Sequence, residues 1–230
     1  MDANLEMESP MTGQRRATTQ AIAWLCLILC GGCGAGIPKK DDATGPPIAY
    51  RMLTLADFGA RRIPPQFKAH AENVGAALCG QIAITRDSGF SAQRLTHADG
   101  STSYRVGIRH LGFRGEMQPA CSWWSPQLPT RLVHRVLQHE QIHFALIELT
   151  TRQLNAQARD LTEGFEAIAK SRELAEAAAT DTIEAITALA LEQLQERHTQ
   201  FDVESRHHIM PEHQQHLWWL RVQDELARTP

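Results

Sequence analysis

Charge of either sign is nearly balanced in this sequence, with 23 Lys and Arg against 26 Asp and Glu and a formal net charge of −3. That balance gives no support to nucleic-acid binding, which needs a basic face to grip phosphates. The sequence also lacks an apolar run of about 20 residues, the length that spans a bilayer. Its uncharged apolar stretch, Ala21 to Cys30, stops well short of that. Cysteine is scarce, at five residues, and three of them (Cys26, Cys30 and Cys33) crowd into or just after the apolar stretch. Only two tyrosines are present, Tyr50 and Tyr104.

What is there begins with a leader. Arg15 and Arg16 are followed by the apolar stretch and then by Gly31-Gly32-Cys33-Gly34. Basic, apolar and small, in that order, is the pattern of a secretory signal. Leu29 to Cys33 resembles a bacterial lipoprotein cleavage box, with Cys33 as the residue that would be lipidated. Cys30 stands where an aliphatic residue is usual, so ordinary secretion is the alternative. Residues 1–33 therefore read as signal peptide and 34–47, rich in Gly, Pro, Lys and Asp, as a flexible tether. The expected location is the bacterial cell envelope, as a periplasmic or outer-membrane lipoprotein. Cys79 and Cys121 alone remain beyond the leader, and an oxidising compartment makes them one expected disulfide.

The rest reads as a single α+β domain over 48–226, a small β-rich half (48–124) packed on a helical half (125–226). Gln81 to Thr85 and the alternating stretch 103–109 are the expected strands. The alternation slips at His110-Leu111, which predicts a bulge or bend. From about 128 to 198 apolar residues recur at threes and fours, including Leu161, Phe165, Ile168, Ala175, Ala179, Ile183 and Leu194. That spacing predicts one long helix or two.

Inside this region His139-Glu140-Gln141-Ile142-His143 reads H-E-x-x-H. Positions four apart share a helix face, so both imidazoles can reach one ion, with Glu140 beside the open position. Leu132, Val136, His139, His143 and Ile147 form one stripe, which should face inward. Two nitrogens for Zn²⁺ and a carboxylate that takes a proton from water are the parts of a zinc peptidase. A third protein ligand is missing from the motif. Leu146 and Leu149 exclude the extended H-E-x-x-H-x-x-G-x-x-H form. Glu163 and Glu166 are open alternatives, as is the richer stretch Phe201 to His208.

Three blocks carry a resemblance to a family. Leu53 to Phe58 resembles the opening L-T-W-x-D-F of a group of exported bacterial proteins thought to be zinc-dependent proteases. Leu137 to Phe144 resembles their H-E-Q-G-H-F core, with Ile142 for Gly. Phe201 to His208 resembles their late Y-D-x-E-T-x-H-G, where Asp202, Glu204 and His207 fit and His208 replaces Gly. The resemblance implies His207 as third zinc ligand. Either His208 or Glu204 could ligate instead, or Glu204 could hold a ligand histidine. The implied function is a zinc metallohydrolase acting on a protein or peptide substrate, with Glu140 as general base, tethered to the membrane by a lipid. The alternative is a non-catalytic envelope lipoprotein that keeps a structural or vestigial metal site and serves as a binding module.

Overall fold

The computed structural model describes residues 46–65, 74–207 and 211–229. The leader, Cys33 and nearly all of the tether lie outside the described residues, and so does His208.

The β-rich half is built on one bent ribbon. Strand β3 (Gly80–Ile84) continues through a turn into β4 (Gly89–Thr96), and β5 (Thr102–His110) returns to β6 (Phe113–Met117). The base pairs β3 with β6 from Gly80–Met117 to Ile84–Phe113, and the outer part pairs β4 with β5. Between them the register shifts. Gly89 faces His110 and Phe90 faces Ile108, leaving Arg109 as an extra residue. This bulge is the slip in alternation seen in the sequence. Thr85 N–H donates to the Gly112 carbonyl across the bend at 2.8 Å. Short β1 (Ile48–Ala49) extends the base sheet beside β6. A second small pair, β2 (Ala76–Ala77) with β7 (Trp123–Trp124), buries Trp123 and sets Trp124 edge-on to Phe58.

Helix α1 (Thr130–Gly164) starts directly after Pro129 and passes through the middle of the domain. From Glu140 to Ile147 every residue is buried. A helix covered on all sides is read as central, not as an amphipathic surface element. One side lies on the base sheet, and two glycines permit the approach. A Cβ on Gly80 would meet Ile147 Cδ1, and one on Gly115 would lie 2.7 Å from Thr151 Oγ1. Asn155 fixes the docking by accepting from Phe113 N–H at 2.7 Å and donating to the Phe113 carbonyl at 2.9 Å.

The helical reading from 128 to 198 needs one correction. After Gly164 the chain forms strand β8 (Glu166–Ala169), antiparallel to β5. Phe165, Ala167 and Ala169 pack inward while Ile168 is exposed, which is a period of two. Leu161, Phe165 and Ile168 fit helical spacing equally well, and pairing with β5 decides between the two. Glu166 faces Arg105 on the sheet at 3.6 Å.

Helix α2 (Arg172–His207) then runs back along the domain. Its 36 residues span about 54 Å at 1.5 Å per residue. Ala175 and Ala179 pack on Val106 of β5, Ile183 joins Ile108, Phe113 and Leu154, and Leu194 and Phe201 reach the core around α1. Helix α3 (Pro211–Arg228) closes the bundle. Gln215 donates to the Arg135 carbonyl and to Gln138 Oε1, both at 2.9 Å. Arg152 Nη1 donates to the Leu226 and Thr229 carbonyls at the other end, where a cation suits the negative helix terminus. His213 and His216 are exposed on α3.

Cys79 and Cys121 are joined as a disulfide, with Cα atoms 5.6 Å apart and 42 residues apart in sequence. The closed loop contains the whole ribbon, β3 to β6. Closing a loop of that size stabilises the fold by about 4 kcal/mol in the chain-entropy account. The double variant Cys79→Ala/Cys121→Ala should lose about that much unfolding free energy in a urea titration, with helix content kept before the transition. An unchanged midpoint would show that the loop is already constrained without the bond.

Candidate metal centre

The H-E-x-x-H turn sits in the buried stretch of α1, and its residues point to three different parts of the chain. His139 and His143 face α2. Glu140 faces the end of β2, where its Oε2 accepts from the N–H of Leu78, the next residue, at 3.0 Å. Gln141 faces the N-terminal segment, accepting from Leu53 N–H at 2.6 Å and donating to the Arg51 carbonyl at 3.1 Å. That segment is the opening block of the family resemblance. It forms a single 3-10 turn, Leu55–Asp57, closed by Asp57 accepting from Thr54 N–H at 2.7 Å and pairing with Arg51. Two blocks far apart in sequence thus meet through one glutamine.

On the other side, three atoms converge. His139 Nε2 and His143 Nε2 lie 3.1 Å apart, and Asp202 Oδ1 is 3.1 Å from the first and 3.3 Å from the second. His139, His143 and Asp202 form a group that could hold a metal ion. The spacing suits it: donors about 2.0–2.1 Å from a tetrahedral ion stand about 3.3 Å from one another. Proton counting points the same way. If both Nε2 atoms carry protons for Asp202, the histidines confront each other donor to donor, and an ion removes that conflict. The site is nearly closed, since the His143 side chain is 0% exposed, His139 13% and Asp202 12%.

Electrostatics prepare the carboxylate. Burial would raise the pKa of Asp202, but the facing His143 and His139 rings outweigh it and hold the carboxyl well below the ordinary carboxylate range. Asp202 is therefore ionised at neutral pH, as a ligand must be. His198 lies one turn earlier on α2. Burial, and next the neighbouring His143 ring, push it well below the usual histidine value, so it is neutral. Its Nδ1 is 2.6 Å from His143 Nδ1. Phe201 packs against both motif histidines and against Trp218.

Of the residues expected at the site, His139 and His143 converge, while Glu140, on the same turn, accepts from Leu78 N–H. Glu204 is not part of the converging group. Two steps on from Asp202 it occupies another face of α2, where it accepts from Trp218 Nε1 at 2.7 Å and Gln200 Nε2 at 2.8 Å. It ties α3 to α2 instead. The His207 side chain and all of His208 lie outside the described residues. Asp202 and His198 are what sequence reasoning missed as site residues. Their signal was present: His198 and Asp202 are four apart, the spacing of His139 and His143, so each helix offers two polar groups on one face.

Comparison with family models, with curated proteins and with solved structures gives no match.

Proposed function

We propose that the protein is a zinc-dependent hydrolase of the cell envelope, a peptidase, with His139, His143 and Asp202 holding the ion and Glu140 serving as general base. The observation that carries this reading is the convergence of three donor atoms within 3.3 Å of one another beside a buried glutamate on the same helical turn. Three protein ligands are the complement of a catalytic zinc, which keeps a position for water; a structural zinc takes four. Zinc, when bound, supplies a Lewis acid for the scissile carbonyl and lowers the pKa of a coordinated water to about 7. The chain supplies the rest. Asp202 contributes the negative charge that offsets the ion, and Glu140 takes the proton of the attacking water and returns it to the leaving amine. Leu78 N–H, at 3.0 Å, fixes one oxygen of the Glu140 carboxylate.

The test is zinc stoichiometry of residues 46–230 purified without chelator, alongside cleavage of an unfolded protein. One ion per chain is expected, with cleavage lost on chelation and restored by zinc. A chain that neither retains nor takes up zinc would sink the reading.

A second reading, a metal-bearing module without catalysis, is favoured by how little of the site is exposed. It predicts bound zinc with no cleavage at any substrate concentration.

For the location, the proposal is a lipid anchor at Cys33, supported by the basic, apolar and small segments before it. Cys33→Ser should move the protein out of the membrane fraction. Ordinary secretion stands if the distribution does not change.

A further inference from the structure

His198 has no part in the peptidase chemistry, yet it is one of the most enclosed polar side chains of the domain, 0% exposed. Its Nδ1 meets His143 Nδ1 at 2.6 Å, and its Nε2 is buried with no hydrogen-bond partner among the described residues. A contact that short between two ring nitrogens holds one proton, donated from one ring to the other.

The location of that proton decides whether a metal can bind. His143 points its Nε2 at His139 and Asp202, so Nε2 must be bare to ligate. A neutral imidazole carries one N–H, and with Nε2 bare it sits on Nδ1. His143 then donates and His198 accepts. The reverse arrangement, with the proton on His198 Nδ1, leaves an N–H on His143 Nε2 aimed into the triangle, and an ion is shut out.

We infer that His198 is the positioning residue of the metal centre: its Nδ1, 2.6 Å away, accepts the Nδ1 proton of His143 and so fixes the tautomer and ring orientation in which His143 ligates. This rests on the zinc reading above. Ligand histidines commonly donate their second N–H to a carboxylate or a backbone carbonyl. Here α2 supplies an imidazole in that place, one turn from the carboxylate it supplies to the ion. In this arrangement the proton of His198 is on its unpartnered Nε2. Among the described residues that buried donor has no partner, while Nδ1 serves as the acceptor.

The experiment compares wild type, His198→Phe and His198→Asn. Zinc affinity is read by competition with a chromophoric chelator, and ring protonation by ¹⁵N spectra of histidine-labelled protein. His198→Phe fills the space but cannot accept, and should bind zinc about 10- to 100-fold more weakly. His198→Asn places an oxygen near the former Nδ1 and should recover most of the loss. Zinc-loaded wild type should show His143 protonated at Nδ1, with a slowly exchanging downfield proton that persists in the asparagine variant. A purely structural role would lower the unfolding midpoint of His198→Phe and leave zinc affinity alone.

Wild-type affinity in His198→Phe overturns the inference while leaving the zinc site standing. A His143 proton at Nε2 in the zinc-loaded wild type also overturns the inference, and with it the place of His143 among the ligands, a measurement that needs no variant to fold. A wild type that binds no zinc at all removes both readings together.

Discussion

Asp202→Ala is expected to abolish stoichiometric zinc binding, with a loss well beyond the 10- to 100-fold that follows removal of a supporting residue. The geometry makes Asp202 the one described carboxylate that closes the triangle with His139 and His143. Without it the two Nε2 atoms keep their 3.1 Å spacing but lose the negative charge that makes an ion welcome. Asp202→Asn should fall in between, because it keeps an oxygen at the same place and loses the charge. The informative comparison is His207→Ala, since the family resemblance assigns the third ligand to His207. Competition titrations on both variants, with helix content checked by circular dichroism, separate the assignments. Zinc retained by Asp202→Ala and lost by His207→Ala would mean that the convergence around Asp202 is not the metal site.

Glu140→Gln should leave zinc bound and lower cleavage by about 10²- to 10⁴-fold, the range for a positioned proton-transfer group. The substitution suits this structure. Glutamine keeps an oxygen for Leu78 N–H, so the anchor at β2 survives and the helix turn has no reason to move. Glu140 is also not among the three converging atoms, so the ion keeps its ligands. What disappears is the capacity to take a proton. Full zinc with unaltered cleavage would dismiss the peptidase mechanism and leave the metal-bearing module.

The parts of this design that sequence displays are those with a local period. The helix through His139 and His143, its inward stripe and the strand around Val106 and Ile108 follow from spacing alone. The bulge at Arg109 was visible as a slipped alternation. What stayed hidden depends on partners. Phe165 to Ala169 satisfies both helical and strand periodicity, and only the open edge of β5 makes it a strand. The contacts of Gln141 have no local sign, because nothing near it announces that Arg51 and Leu53 come to it from 90 and 88 residues away. His198 and Asp202 share the spacing of the motif histidines, but without the course of α2 they resemble any polar pair on a helix surface.

The long reach of these contacts has a consequence for when the site comes into being. The pentapeptide is local, but each of its working side chains is placed by a distant segment: Gln141 by one 88 residues away, Glu140 by one 62 away, His139 by one 63 away and His143 by one 55 away. Contacts of such separation form late, because the loops they close cost entropy before any of them contributes. A chain that has made α1 alone has two imidazoles a turn apart, no carboxylate between them and no amide on Glu140. It is a helix with a motif and no site. Refolding with the disulfide intact and a zinc-responsive dye present should therefore show ion capture at the rate of the slowest tryptophan-fluorescence phase. Capture within the first milliseconds, at the pace of helix formation, would contradict this order. If the order holds, a nascent or unfolded chain is chemically silent, and the proposed hydrolytic competence appears only when the last long loop has closed.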